Sequence, residues 1–301
     1  MENKGKKIVS SLAVLTAVAG GVSVINTFVS KMTKTLLYRY HKDEYEPGIL
    51  ETTYNGKSVY IKNEQGIKLR GVLITEDNAD KTLVILHPFG LQAEDMSLFV
   101  PFFKEKMDNT NILVLDACGH GQSDGYIRGF GLKDVDDITS WIKYLQGEYG
   151  KNHSIILYGK EAGANTILNA AGKQKIKGVK AIISDGAFTS VYDILGERLV
   201  KDYKVVKFPT LSLLKRKIYR EVKMNIKEST VDNVKHNDIP TLYIHTKNDD
   251  FVPLQHVYSL YNANRGKKEL FVLKDERYLY ELKETDAFKK TFSQFLTKYV
   301  K

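Results

Sequence analysis

Polar and apolar positions follow a regular order along most of this chain, and from about residue 80 onward short apolar runs are separated by longer amphipathic stretches. Runs without polar interruption are typical of strands that are covered on both faces, because neither face meets water. Six such runs lie at 83–86, 112–115, 155–158, 181–183, 242–244 and 270–273. Helical periodicity lies between or after them at 134–145, 162–171 and 288–299. This order predicts an α/β fold with a mostly parallel, doubly wound sheet.

Two regions depart from that order. Residues 58–62 and 68–75 alternate between polar and apolar around Gln65-Gly66, which predicts an antiparallel hairpin before the parallel strands. Residues 186–238 separate two predicted strands and contain two amphipathic segments, 192–203 and 211–222, on either side of Phe208-Pro209. Helices inserted at the carboxyl edge of a parallel sheet cover that edge, so we expect 186–238 to form a helical lid or cap.

The N-terminal segment is apolar and free of charge from Ile8 to Val29, a length of about 33 Å as a helix and enough for the core of a bilayer. We predict one transmembrane anchor at 1–30, a polar juxtamembrane linker at 31–53 and the folded domain at 54–301. The expected location is the membrane, with the domain on the extracellular side, although lysines flank both ends and leave the orientation open. The alternative is a signal peptide cleaved after Ala17-Val18-Ala19, followed by secretion.

Composition narrows the possible partners. The net charge of +9 comes mainly from lysines scattered along the whole chain, which is typical of a solvated surface. The single cysteine, Cys118, excludes an internal disulfide and a thiolate metal cluster. We expect no cofactor, no metal and no nucleic acid; the expected partners are the membrane and an unidentified small molecule, lipid or protein.

Three motifs follow or include the predicted strands. They are HPFG at 87–90, DACGHGQSDG at 116–125 and IHTKNDDFVP at 244–253. They resemble the HGxxG-like oxyanion loop, the DxRGHGxSxG turn and the HGxxDxxVP segment of the α/β-hydrolase superfamily. The chain is similar in particular to the serine-aminopeptidase-like branch with an N-terminal membrane anchor that is common in Gram-positive bacteria. The resemblance runs from about residue 54 to the C-terminus and implies the α/β-hydrolase fold.

That resemblance implies a nucleophile on a sharp G-x-S-x-G turn between a strand and a helix. The turn in this chain is Gly159-Lys160-Glu161-Ala162-Gly163, which keeps both turn glycines but has Glu161 at the serine position. The hydroxyl group that would attack a substrate is therefore missing. The related carboxylate nucleophiles of this superfamily are normally aspartates and require a histidine to activate water.

The other two triad positions follow from the same resemblance. The acid falls on Asp249, four residues after His245, with Asp250 as the competing candidate. The base, normally a histidine after the last strand, falls on Tyr278, and no histidine occurs after His256. A tyrosine hydroxyl, with an ordinary pKa of about 10, is a poor base at neutral pH.

The oxyanion positions implied by the resemblance are Phe89 and Ala162, with Pro88 where glycine is usual. A buried Glu161 needs compensating partners, so we expect a pocket plugged by its own carboxylate. The expected partners of that carboxylate are the backbone donors of Phe89 and Ala162, or else Lys160, Arg277 or the Tyr278 hydroxyl.

The remaining candidates are expected to be structural. His87 and His120 lie in loops where this fold uses histidine structurally, and His256 lies away from the expected base. Cys118 is expected as a packed thiol and Ser123 as a turn residue.

Together the substitutions predict a catalytically inactive pseudo-hydrolase that is membrane-anchored and acts as a binding or scaffold protein. The alternative is an active hydrolase of ester, amide or acyl-lipid substrates with a rewired carboxylate site made of Glu161 and Asp249. A third hypothesis is a membrane-surface accessory protein whose lysines contact anionic polymer or lipid.

Overall fold

The centre of the molecule is an eight-stranded sheet. The computed structural model describes residues 23–39, 42, 44–173, 175–274 and 286–300. The strands are β1 Lys57–Lys62, β2 Lys68–Ile74, β3 Lys81–Leu86, β4 Thr110–Leu115, β5 Ser154–Lys160, β6 Val179–Asp185, β7 Thr241–Thr246 and β8 Lys268–Leu273. Their order is β1-β2-β4-β3-β5-β6-β7-β8. β2 pairs antiparallel with β1 and with β4, and the other neighbours pair in parallel.

Helices cover both faces of this sheet. They are α1 at 23–37, α2 Ile49–Thr52, α3 Val100–Lys106, α4 Val135–Tyr149, α5 Ala162–Gly172, α6 Val191–Tyr203, α7 Lys207–Val222, α8 Thr230–Val234, α9 Gln255–Ala263 and α10 Asp286–Tyr299, with a 3₁₀ helix at Ala93–Phe99. Along β3, Leu83 and Ile85 belong to the core under α3 and α10, whereas Val84 and Leu86 belong to the core under α4 and α5. Burial on both faces is the physical reason for the uninterrupted apolar runs.

The predicted α/β fold with a mostly parallel, doubly wound sheet is confirmed. All six predicted apolar runs lie within strands, and the predicted hairpin is the antiparallel pair β1–β2. The predicted helices at 134–145, 162–171 and 288–299 correspond to α4, α5 and α10.

The cap consists of α6 and α7, which match the two helices predicted there. Its core includes Leu195, Leu199, Leu214 and Ile218. The cap is shorter than the predicted 186–238, because α8 packs on the main body. Its buried Val234 joins the core under α5 and α9, where the amphipathic pattern alone does not distinguish a cap helix from a sheet-covering helix.

The N-terminal region differs from the predicted linker. Residues 23–37 are helical, and Val29, Met32 and Leu37 are buried in the cap core, so 31–37 is not a polar linker. The short α2 buries Leu50 against the sheet. The predicted anchor at 1–30 lies mostly outside the described residues, and no helix in the described part is both long and apolar enough to cross a membrane.

Candidate active site

The centre of the site is the turn from β5 into α5. Glu161 stands between them at φ 49° and ψ −110°, a strained conformation for any residue with a side chain. A Cβ on Gly159 would lie 2.5 Å from the Gly163 carbonyl, and a Cβ on Gly163 would lie 2.5 Å from the Leu86 carbonyl oxygen. Only glycine fits these approaches, so the turn has the shape of a nucleophile elbow with a glutamate at its tip.

The Glu161 side chain lies half-buried among other charges. Burial raises its pKa to about 7; Lys160 opposes the shift, and the negative charges of Asp249 and Asp185 add to it. No hydrogen bond reaches the carboxylate from the described residues, so the expected capture by the backbone donors of Phe89 and Ala162 is not observed. A carboxyl group with this pKa exists in both protonation states near neutral pH.

Lys160 is paired with Asp185 at the ends of the adjacent strands β5 and β6. Its ammonium lies 3.2 Å from Asp185 Oδ2, which also accepts a 2.8 Å hydrogen bond from the buried Tyr158 hydroxyl. Burial lowers the pKa of Lys160, but attraction to Asp185 and Glu161 prevails and raises it above its ordinary value. Lys160 therefore carries its charge within the site.

Asp185 was not anticipated from the sequence. It ends an apolar strand, and its backbone carbonyl accepts a 2.8 Å hydrogen bond from the Glu161 N–H. Polar residues at the carboxyl ends of adjacent parallel strands meet at one edge of the sheet. That rule, applied to the last residue of β6, is the signal that would have found it.

The acid position is at Asp249, in the loop after β7. Its Oδ1 accepts hydrogen bonds from the N–H groups of Phe251 and Val252 at 2.7 and 2.8 Å. A Cβ built on Gly186 would lie 3.7 Å from Glu161 Cγ and 3.9 Å from Asp249 Oδ2, so the two acids flank one glycine. The competing Asp250 is exposed and pairs with Lys201.

His245 is the buried histidine nearest to the acid. Its Nε2 lies 4.0 Å from Asp249 Oδ2 and 2.8 Å from the Val252 carbonyl oxygen, and Nδ1 has no hydrogen-bond partner in the described part of the chain. Burial lowers its pKa, which favours the neutral ring. His256 lies elsewhere, on α9, where it bonds to Thr189 and Glu197.

The base position falls after β8. Tyr278 and Arg277 lie at 275–285, outside the described residues, and their roles stay predictions. The same holds for the expectation that either of them binds the Glu161 carboxylate.

The two histidines of the flanking loops tie those loops together. His87 Nδ1 donates to the Pro88 carbonyl at 2.6 Å, and Nε2 accepts from Ala117 N–H at 3.1 Å. His120 Nδ1 donates to the Cys118 carbonyl, and Nε2 accepts from Gly90 N–H. Burial lowers the pKa of both rings, that of His120 to about 3. Both nitrogens of each neutral ring are engaged, which indicates structural roles.

The two alternative nucleophiles are also engaged or inert. Ser123 Oγ accepts from Arg70 N–H and donates to the Asp116 carbonyl, so its hydroxyl holds the turn. Burial raises the pKa of the Cys118 thiol to about 12, which leaves almost no thiolate at neutral pH. No group of three potential metal ligands occurs among the described residues.

An apolar pocket adjoins the elbow on the α4 side. Its cavity volume is about 40 Å³, and Ala162, Gly163 and Phe89 form the wall nearest the elbow. The rest of the lining is mostly aliphatic and aromatic and includes Leu86, Leu115, Phe130, Ile138 and Trp141. Three carboxyl groups, Asp116, Asp134 and Asp137, also line it, and burial raises the pKa values of Asp134 and Asp137 to about 6 and about 7.

Comparisons with known proteins agree with this architecture. No protein-family model matches the chain. It is 25% identical to YqkD, an uncharacterized protein of Bacillus subtilis (strain 168), over 97% of both chains. The esterase Pf2001 of Pyrococcus furiosus superimposes with a TM-score of 0.68 over 87% of this chain and 99% of the esterase, at 22% identity. The α/β hydrolase GrgF of Penicillium sp. sh18 does so with 0.60 over 81% and 98%, at 16% identity. With the strand order and the elbow, these likenesses show that the chain has the α/β-hydrolase fold.

Proposed function

We propose that this chain is a membrane-tethered protein of the α/β-hydrolase fold that lacks serine-hydrolase activity and binds a small apolar molecule. The observation that supports this most directly is Glu161 at the tip of the elbow. In the acyl-enzyme route a hydroxyl or thiol on this turn attacks the substrate, and a histidine takes its proton. Glu161 provides no such group, and the sequence has Tyr278 at the base position.

The pocket beside the elbow supports the binding role. Its walls are mostly apolar, which suits a small hydrocarbon group. Because the pKa values of Asp134 and Asp137 are raised to about 6 and about 7, their carboxyl groups are partly protonated at neutral pH. They would form hydrogen bonds with one hydroxyl or amine group of an otherwise apolar ligand.

The tether is proposed from the uncharged run 8–29, whose last seven residues belong to α1, and from the basic residues on its flanks. We retain the extracellular side as the proposed orientation. A scaffold role for the cap surface and a cleaved, secreted form are the alternatives.

The test of inactivity is covalent labelling of the full chain in detergent. Full length is needed because α1 packs into the cap core. We expect no reaction of the native chain with a fluorophosphonate probe and no turnover of short-chain esters. Glu161→Ser/Tyr278→His should gain labelling that the folded Glu161→Ser single variant shows weakly or not at all. Labelling of the native chain would overturn the proposal, and Ser123→Ala would then show whether Ser123 is the nucleophile.

A second candidate, an active hydrolase with a carboxylate site, is favoured by one observation. Glu161 and Asp249 flank Gly186, and the pKa of Glu161 is raised to about 7, a value suited to proton transfer at neutral pH. If this candidate holds, ester or amide turnover is present in the native chain and abolished by Glu161→Gln. Asp250→Asn, next to the acid position but exposed, is the matched control and should leave that turnover unchanged.

A further inference from the structure

The connection between the two cap helices exposes large apolar side chains. Val200 and Tyr203 on α6, Val206 between the helices and Phe208 on α7 have exposed fractions of 46%, 54%, 65% and 79%. These four residues, called here the cap patch, lie within nine positions of the chain. Cap helices bury their opposite side, with Leu199 and Leu211 in the cap core. The exposed set is therefore a second apolar surface of a helix pair whose core is already filled.

The N-terminal helix α1 extends this surface. The Phe28 ring packs edge-on against Tyr203, with 5.6 Å between the ring centroids. Val24, one helical turn earlier, is 69% exposed. On its other side α1 is anchored to the cap by Val29 and Met32. The start of α1 therefore lies beside the cap patch.

The charges around the cap patch have one prevailing sign. Lys201, Lys204 and Lys207 are exposed in the same stretch. Lys201 is paired with Asp250 and Asp202 with Arg198, which leaves Lys204 and Lys207 without an ion pair among the described residues. Lysines between exposed apolar residues are the composition that suits the interface of an anionic bilayer, because the stems pack on the apolar surface and the ammonium groups reach the headgroups.

The sequence that precedes α1 indicates what covers the cap patch. Residues 8–22 carry no charge and are mostly Val, Ala, Leu and Ile, and the described structure begins directly after them, at Ser23. If that run enters a bilayer, the cap patch is brought to headgroup depth by the contact between α1 and α6.

We propose that the cap patch is a membrane-contact surface that lies in the headgroup region of an anionic bilayer and holds the cap against it. This inference rests on the membrane tether of the proposed function, and it is independent of the pocket ligand and of catalysis. A second copy of the chain and a partner protein are the competing occupants of the same surface.

The test places a tryptophan in the cap patch of the full chain. Trp141 is the only tryptophan and is buried, so its emission is a constant background. Phe208→Trp is reconstituted in nanodiscs of phosphatidylglycerol and phosphatidylcholine, with and without brominated acyl chains. We expect brominated lipid to quench the added emission by roughly half and anionic lipid to shift it to the blue. Lys204→Gln/Lys207→Gln should weaken the dependence on anionic lipid.

The matched control is Tyr149→Trp. Tyr149 ends α4 at the amino edge of the sheet, opposite to the cap, and its added emission should not respond to brominated lipid. Co-elution of the chain with nanodiscs but no quenching of Trp at position 208 would overturn the membrane contact and leave the tether standing. Failure to co-elute would overturn both. Shielding of position 208 that rises with protein concentration in lipid-free detergent would overturn the proposal in favour of a second copy.

Discussion

Two buried or half-buried acids, Asp116 after β4 and Glu161 after β5, lie in turns that follow parallel strands but in opposite electrostatic settings. Asp116 accepts hydrogen bonds from the Arg70 guanidinium and from the N–H groups of Ala93 and Gln122, at 3.0, 2.7 and 2.9 Å. The Glu161 carboxylate receives no hydrogen bond from the described residues, and its pKa is raised to about 7.

This contrast distinguishes an acid that holds the structure together, Asp116, from an acid that belongs to the candidate site, Glu161. A carboxylate whose oxygens are fully engaged holds loops in place, as Asp116 does for the 3₁₀ helix and the 116–125 turn. A carboxylate without such partners is costly to keep charged and is available to something that enters the site. The elbow of this chain thus has the intact scaffold of the fold and a different group at its tip.

The largest expected effect concerns Asp116, the acid that holds its neighbouring loops in place. Asp116→Ala leaves the Arg70 guanidinium, whose side chain is 7% exposed, with Glu51 as its remaining carboxylate, and should reduce the free energy of unfolding by about 3–5 kcal/mol. Denaturant unfolding measures this change. Asp124→Ala in the same turn is the control, since its ion pair with Lys42 is exposed and its loss should cost no more than about 1 kcal/mol. Equal effects of the two variants would contradict the comparison.

A smaller effect tests whether the backbone of the elbow is tightly packed. The elbow would then be part of the rigid framework even though the Glu161 carboxylate at its tip is not. In Gly163→Ala the new methyl group would lie 2.5 Å from the Leu86 carbonyl oxygen, which should reduce the free energy of unfolding by about 2–3 kcal/mol. The control is Gly147→Ala on the exposed face of α4, where nothing lies within 4 Å and helix propensity should add about 0.5–1 kcal/mol. A neutral Gly163→Ala would mean that the elbow is loosely packed.

The sequence predicted the strands and the elbow for clear physical reasons. Burial on both faces forces uninterrupted apolar runs, and the close approaches at Gly159 and Gly163 leave no alternative to glycine. The sequence did not predict the pairing of Lys160 with Asp185, because this contact requires knowing that β5 and β6 are neighbours.

The N-terminal helix was missed for a different reason. An apolar helical face has the same pattern whether it packs against lipid or against protein, so Val29 and Met32 were assigned to the membrane and the linker, although the cap buries them. The predicted cap is longer than the observed one for a similar reason, since α8 carries a buried face that packs on α5 and α9.

The smallest expected effect concerns Glu161 and is measured as a dependence of protein stability on pH. Burial raises the pKa of Glu161 from its ordinary 4.5 to about 7, so between these values the folded chain holds a proton that the unfolded chain has released. The contribution of Glu161 to stability is therefore complete below about pH 4.5 and is lost as the pH rises through about 7. Glutamine does not titrate, so the stability of Glu161→Gln relative to the native chain should increase over this range and stay level above it. Solvent screening of the half-buried side chain reduces the expected increase to about 1–2 kcal/mol. Denaturant unfolding at a series of pH values measures the difference.

Asp250→Asn is the control, because the hydrogen bond and charge of Lys201 lower the pKa of Asp250 and its removal should produce no such rise. A Glu161→Gln curve parallel to the native one from pH 4.5 to 7.5 would show that Glu161 is as well satisfied as Asp116, and the distinction between framework and site would fail.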